Sequence, residues 1–180
     1  GGTLRTWDLA SGSLQFEYKP VDLQDPKYGG YRLTHLAACP TEGKLFIVAA
    51  WNEGSLRSIE HRSGRILGSW SFDEAGYGVS AMRCEHRGEA KMLFIAEDRN
   101  LHRFDLPDLR LQRSVRNAAG ATIYSLFPIG WHGTPALVVG SDSFRDGECT
   151  ESMLIRIRDI VELSTLAEFA PAYSYEDQTG

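Results

Sequence analysis

Short apolar runs alternate along this chain with tight breaks marked by glycine or proline, and no stretch of ten or more residues carries a helical period. Residues 3–9 alternate around Leu4, Trp7 and Leu9, as a half-buried strand does. Ala10-Ser11-Gly12-Ser13 turns the chain, glycine supplying the positive φ, and Leu14–Tyr18 alternates again, so 3–18 is a predicted hairpin. A polar connection from Lys19 to Gly30 follows, broken by Pro20, Pro26 and Gly29-Gly30. Residues 31–72 then read as four strands: Leu33–Cys39, Leu45–Ala50, a stretch from Leu56, and Ile66–Phe72. Their turns fall at 40–43, at 51–54 and at Ser63-Gly64. Leu45–Ala50 does not alternate at all, which predicts a strand covered on both faces.

The same order recurs. Val79–Cys84 aligns on Thr34–Cys39, pairing the two cysteines, and Leu93–Ala96 aligns on Leu45–Val48. Ile123–Pro128 and Leu137–Gly140 open a third unit. A five-residue step marks every unit: Leu4-Arg5-Thr6-Trp7-Asp8, Leu56-Arg57-Ser58-Ile59-Glu60, Leu101-His102-Arg103-Phe104-Asp105 and Leu154-Ile155-Arg156-Ile157-Arg158. In that register Trp7, Ile59, Phe104 and Ile157 are equivalent and expected in the core. In the third unit Ser141–Ser152 reads as an insertion, Ile160–Leu163 as a helical turn and Leu163–Phe169 as the last strand. A period of roughly 50 residues with four strands each predicts an all-β fold, a β-propeller of four-stranded antiparallel blades. The units are a closing hairpin at 3–18, blades at 31–72, 79–116 and 121–169, and a polar tail at 170–180. The chain starts directly in a strand-like run and reads as an arc of a larger propeller. Its bare blade faces would then be covered by remaining blades or by another copy of the chain.

Trp7-Asp8-Leu9 with its glycine turn, Phe104-Asp105-Leu106, and Gly140-Ser141-Asp142 at the end of a second strand resemble WD40-type repeats. The resemblance spans nearly the whole chain but is degenerate. The Gly-His pair of that family is missing, and Ile59-Glu60 and Ile157-Arg158 depart from Trp-Asp. What it implies is a non-catalytic scaffold whose loops recruit a protein or peptide, commonly within a larger multidomain protein. The alternative is a propeller enzyme, hydrolase or lactonase-like or quinoprotein-like, with a metal or cofactor in a central channel.

Composition narrows the partners. A net charge of −5 argues against a broad nucleic-acid surface, and no apolar run reaches the ~18–20 residues of a membrane-spanning helix. Cys39, Cys84 and Cys149 lack metal-site spacing and read as small buried or idle thiols in a reducing compartment, so a cytoplasmic or otherwise intracellular setting is expected. His35, His61, His86, His102 and His132 form no metal motif, and Ser125 and Ser141 have no nucleophile-elbow context. No catalytic residue, metal or cofactor is therefore expected. Asp8 and Asp105 are expected to hydrogen-bond their turns. The acidic run Asp142–Glu148 is read as a solvated turn, not a calcium site. The turns after the second strands should share one rim with the connections between blades. This rim brings forward Trp51, Asn52, Tyr77, Arg99, Phe144 and Arg145 as partner-binding candidates, aromatic and arginine side chains being common hot spots. The competing reading for Trp51 is that it tucks against a neighbouring blade.

Overall fold

A computed structural model describes residues 3–19, 32–41, 44–52, 54–72, 78–119, 121–145 and 148–169, with the backbone alone described at 41, 44, 143–145 and 148–153. All regular structure among these residues is strand. The hairpin pairs β1 (Leu4–Trp7) with β2 (Leu14–Tyr18). Blade 1 contains β3 (Leu33–Thr41), β4 (Lys44–Trp51), β5 (Ser55–Glu60) and β6 (Ile66–Ser71). Blade 2 contains β7 (Val79–Arg87), β8 (Ala90–Glu97), β9 (Asn100–Asp105) and β10 (Arg110–Val115). Blade 3 contains β11 (Ile123–Trp131), β12 (Thr134–Arg145), β13 (Glu148–Asp159) and β14 (Thr165–Phe169). Each blade is an antiparallel meander, and the first strands β3, β7 and β11 lie side by side. The described residues form a propeller-like all-β arrangement of one hairpin and three four-stranded blades.

The unbroken apolar second strands are explained by the packing. Successive strand residues point to opposite faces, so each one serves two interfaces. From β4, Phe46, Val48 and Ala50 pack towards blade 2, while Ile47, Ala49 and Trp51 pack towards the hairpin. From β8, Leu93 and Ile95 join the core shared with blade 1, while Met92, Phe94 and Ala96 join the core shared with blade 3. Leu93, Phe94, Ile95 and Ala96 are all fully buried.

The turn between third and fourth strands is the most regular repeat. In the turns at 8–13, 60–65 and 159–164 the first residue donates its N–H to the carbonyl five residues on, and its carbonyl accepts the N–H four residues on. That fifth residue is left-handed in every unit: Gly12 (φ 69°), Gly64 (φ 69°), Leu109 (φ 54°) and Leu163 (φ 58°). Glycine takes this conformation freely and leucine does not. Leu109 and Leu163 hold it because their side chains are buried in the two inter-blade cores.

Several expectations need correction. In β13 the backbone pairing puts Ile155 opposite Gly140, as Leu101 lies opposite Ala96 and Leu56 opposite Ala50. The third repeat therefore starts at Ile155, one residue later than its leucine suggests. Arg158, not Ile157, is the equivalent of Ile59 and Phe104, and Asp159 is the equivalent of Glu60 and Asp105. Arg158 is buried because its guanidinium donates to the carbonyls of Leu163 (2.6 Å) and Ala118. Trp7 is 55% exposed, unlike Ile59 and Phe104. Those two face the sheet that precedes their own, and no described sheet precedes the hairpin. Residues 141–145 and 148–152 do not form an insertion loop but extend β12 and β13, with Phe144 in register with Cys149. Residues 160–163 make one helical turn, the Leu163 N–H donating to the Asp159 carbonyl (3.0 Å), which is not continued into a helix because it closes the turn between β13 and β14.

Candidate functional site

The turns after the second strands and the segments leading into the first strands form one hydrogen-bonded layer. In blade 1, Asn52 Oδ1 accepts the Arg32 N–H (2.8 Å), and the Asn52 N–H donates back to the Arg32 carbonyl (3.0 Å). In blade 2, Asp98 adopts a left-handed φ of 51°, and its carboxylate accepts the Thr122 hydroxyl (2.6 Å). The Asp98 carbonyl accepts the Ile123 N–H (2.7 Å) and the Arg99 carbonyl the Ala118 N–H (2.7 Å). Each pair closes a loop onto a neighbouring segment and fixes the rim by its backbone. Just below it, the Thr34 hydroxyl donates to the Ala50 carbonyl (3.1 Å) and the Ser80 hydroxyl to the Ala96 carbonyl (3.2 Å). Both hydroxyls sit at the register shift that opens β3 and β7, a repeat too short in sequence to be noticed.

The rim candidates divide accordingly. Trp51 is completely buried, its ring 6.2 Å from Tyr18 in an edge arrangement, so it is inter-blade core and offers no surface. Asn52 lies on the rim, but its side-chain oxygen holds Arg32. Arg99 is on the same rim, more than half exposed, and pairs with its neighbour Asp98 at 3.3 Å. Tyr77 and the side chains of Phe144 and Arg145 lie outside the described residues. Asp8 accepts the N–H groups of Ala10 (3.0 Å) and Ser11 (2.7 Å), which hold its carboxyl below the usual range. Asp159 makes the same pair of bonds, to Val161 (2.8 Å) and Glu162 (2.7 Å). Asp105 instead pairs with Arg110 at 3.2 Å.

Two further places hold polar groups out of water. His102 of β9 is buried where blade 2 meets blade 1, its ring 5.0 Å from Phe72 and its Nε2 3.4 Å from a Glu97 carboxylate oxygen. That contact lacks hydrogen-bond geometry at Nε2, and burial dominates: it lowers the imidazole pKa to about 4, so the ring is neutral at pH 7. His35 of β3 is shifted downwards too, again by burial, with a backbone hydrogen bond to Ser80 opposing.

The second place is a cavity of about 550 Å³ between the first strands of blades 1 and 2. Its walls come from Leu36–Pro40 and Met82–His86, with Phe46, Lys91 and Leu106. Cys39 and Cys84 are joined there by a disulfide, Cα atoms 5.8 Å apart. Cys39 is buried as expected, but the pair are not free thiols, and they do not occupy equivalent positions either. The register shifts align Leu33 with Val79, so Cys39 matches Glu85 and Cys84 matches Ala38. With a side-chain period of two, equivalent cysteines would project to the same side of their blades; the one-residue offset turns them towards each other.

Among the described residues, no three histidine, cysteine, aspartate or glutamate side chains lie close enough to share a metal ion. No helix among them is long and apolar enough to cross a membrane. No protein-family model matches the chain, and no curated protein matches it.

Proposed function

We propose that the chain is a WD40-like scaffold segment that recognises a protein or peptide through its rim, inside the cell and without bond chemistry. The observation that carries this reading is the locked layer of Asn52–Arg32, Asp98–Thr122 and Arg99–Ala118 bonds. A surface already fixed by its own backbone loses little freedom on binding, and preorganisation of that kind raises affinity. Arg99 projects from this layer with its guanidinium more than half exposed. The turn carboxylates of Asp8 and Asp159, each taking two N–H groups at the end of a third strand, support the WD40-like assignment.

The test is selection of a displayed random peptide library on the immobilised chain, followed by affinity measurement on Arg99→Glu. Enriched peptides should share a motif and bind the variant about tenfold more weakly. No enrichment, or equal affinity for both proteins, sinks the proposal.

A further inference from the structure

We propose that the Cys39–Cys84 pair is a thiol–disulfide exchange site, and that the cavity beside it admits a low-molecular-weight thiol carrying carboxylates. Three observations converge. The disulfide joins two blades and lies in the cavity wall, so a reagent can approach it without the sheets separating. The two cysteines differ in exposure: Cys39 is 4% exposed and belongs to the inter-blade core, whereas Cys84 is only partly buried. The cation at the cavity is Lys91, whose ammonium lies 5.9 Å from the Phe46 ring in the wall, and the carboxylate of the lining, Glu85, is held by Arg87 at 3.1 Å. Cations next to a cysteine stabilise its thiolate and attract an anionic thiol.

The exchange runs in two steps. An incoming thiolate attacks the Cys84 sulfur, breaking the Cys39–Cys84 bond; a mixed disulfide forms on Cys84 and Cys39 leaves as thiolate. A second thiolate attacks the small-molecule sulfur of the mixed disulfide, releasing the oxidised small molecule and the Cys84 thiolate. Two protons, brought in by the two thiols, end on the cysteines. The reverse reaction with the oxidised small molecule restores the bond, so the pair follows the redox state of its surroundings. This suits the intracellular setting proposed above, although the exchange stands without that setting.

The probes are reduced and oxidised glutathione, with 2-mercaptoethanol as a neutral control. The full chain is incubated with oxidised glutathione, its free thiols are alkylated, and its peptides are mapped by mass. The expected result is a linked Cys39–Cys84 peptide pair, which reduced glutathione resolves without denaturant. Lys91→Gln should slow reduction by glutathione about two- to fivefold, as loss of one exposed ion contact does, and leave the 2-mercaptoethanol rate unchanged. Added salt should slow only the glutathione reaction with the unaltered protein, which checks the same point without a substitution. Cys39 and Cys84 both alkylated after the oxidised probe overturns the exchange site. A bond reduced only in denaturant overturns access through the cavity. Equal slowing of both thiols by the Lys91 substitution, with no salt effect, overturns recognition of the carboxylates.

Discussion

Replacing His102 with glutamine should remove a pH dependence from the stability of the fold. The imidazole titrates near 6.5 when the chain is unfolded and near 4 in the blade 1–blade 2 interface. Between those values the unfolded state binds a proton that the native state refuses. Stability from this group is therefore complete above pH 6.5 and is lost as pH falls towards 4. A shift from 6.5 to about 4 corresponds to about 3 kcal/mol when fully expressed, of which about 2 kcal/mol disappears between pH 7 and pH 5. The measurement is equilibrium urea unfolding of the unaltered chain and of His102→Gln at both pH values. With a urea slope of about 1–3 kcal/mol per molar, the unaltered protein should lose about 1 M more of its midpoint than the variant does.

The comparison isolates one group. His35 has a lowered pKa in both proteins and cancels. Asp8 and Glu17 are lowered as well, by the hydrogen bonds of Ser11 and of Lys19 respectively, and their contribution is lost at still lower pH. Glutamine keeps a polar side chain beside Glu97 and Phe72 but does not titrate in this range. Equal midpoint losses in the two proteins would show that the imidazole is solvated or paired, and the assignment of a neutral buried ring would fall.

Two further substitutions test the joints between blades. A methyl group on Gly68 would overlap the Asp108 backbone in the neighbouring turn, so Gly68→Ala should destabilise the chain by about 1–3 kcal/mol in urea unfolding; an unchanged midpoint would mean that this turn yields. Leu163→Gly sets two effects against each other, since relief of a left-handed leucine is worth about 1–2 kcal/mol and loss of a fully buried leucine costs about 2–5 kcal/mol. Packing should win, leaving the variant about 2 kcal/mol less stable, and a stabilised variant would show that strain dominates there.

The strand order was legible because alternation, apolar runs and the glycines of the turns agree: Gly12 and Gly64 do take the positive φ their turns need. Misreadings cluster where one residue does another's work. Leu154-Ile155-Arg156-Ile157-Arg158 offers two apolar–charged registers, and the wrong one looked better because a buried arginine was not expected. Its carbonyl partners, Leu163 and Ala118, are 5 and 40 residues away, so no local pattern reveals them. Leu109 and Leu163 occupy turn positions that glycine would advertise. Of the rim candidates, Trp51 has the composition of a hot spot and the burial of a core residue, a distinction that depends on Tyr18 in another sheet. The cysteine offset depends on the register shifts at the start of β3 and β7, which composition cannot express.

The looseness of the repeats has a physical source in one recurring contact. The same fourth-strand position meets the next blade's turn at every joint: Phe16 at Gly64, Gly68 at Asp108, and Arg113 at Glu162. The first joint sets a large ring against a residue with no side chain, and a methyl group on Gly64 would overlap that ring. The second removes the side chain on the opposite partner, so that the backbone of Asp108, in a turn with a cis Leu106–Pro107 bond, approaches Gly68 directly. The third replaces volume by polarity, with Arg113 donating to the Glu162 carbonyl at 3.3 Å. Dense packing constrains the sum across a joint more tightly than either partner alone. Each joint can therefore drift as a pair while the distance between blades is kept. Arg158 extends the same reasoning to the third strand, where two carbonyls replace the apolar neighbours of Ile59 and Phe104. Joints built from such pairs keep the turns and registers of the blades alike while the residues that meet at them differ from one joint to the next.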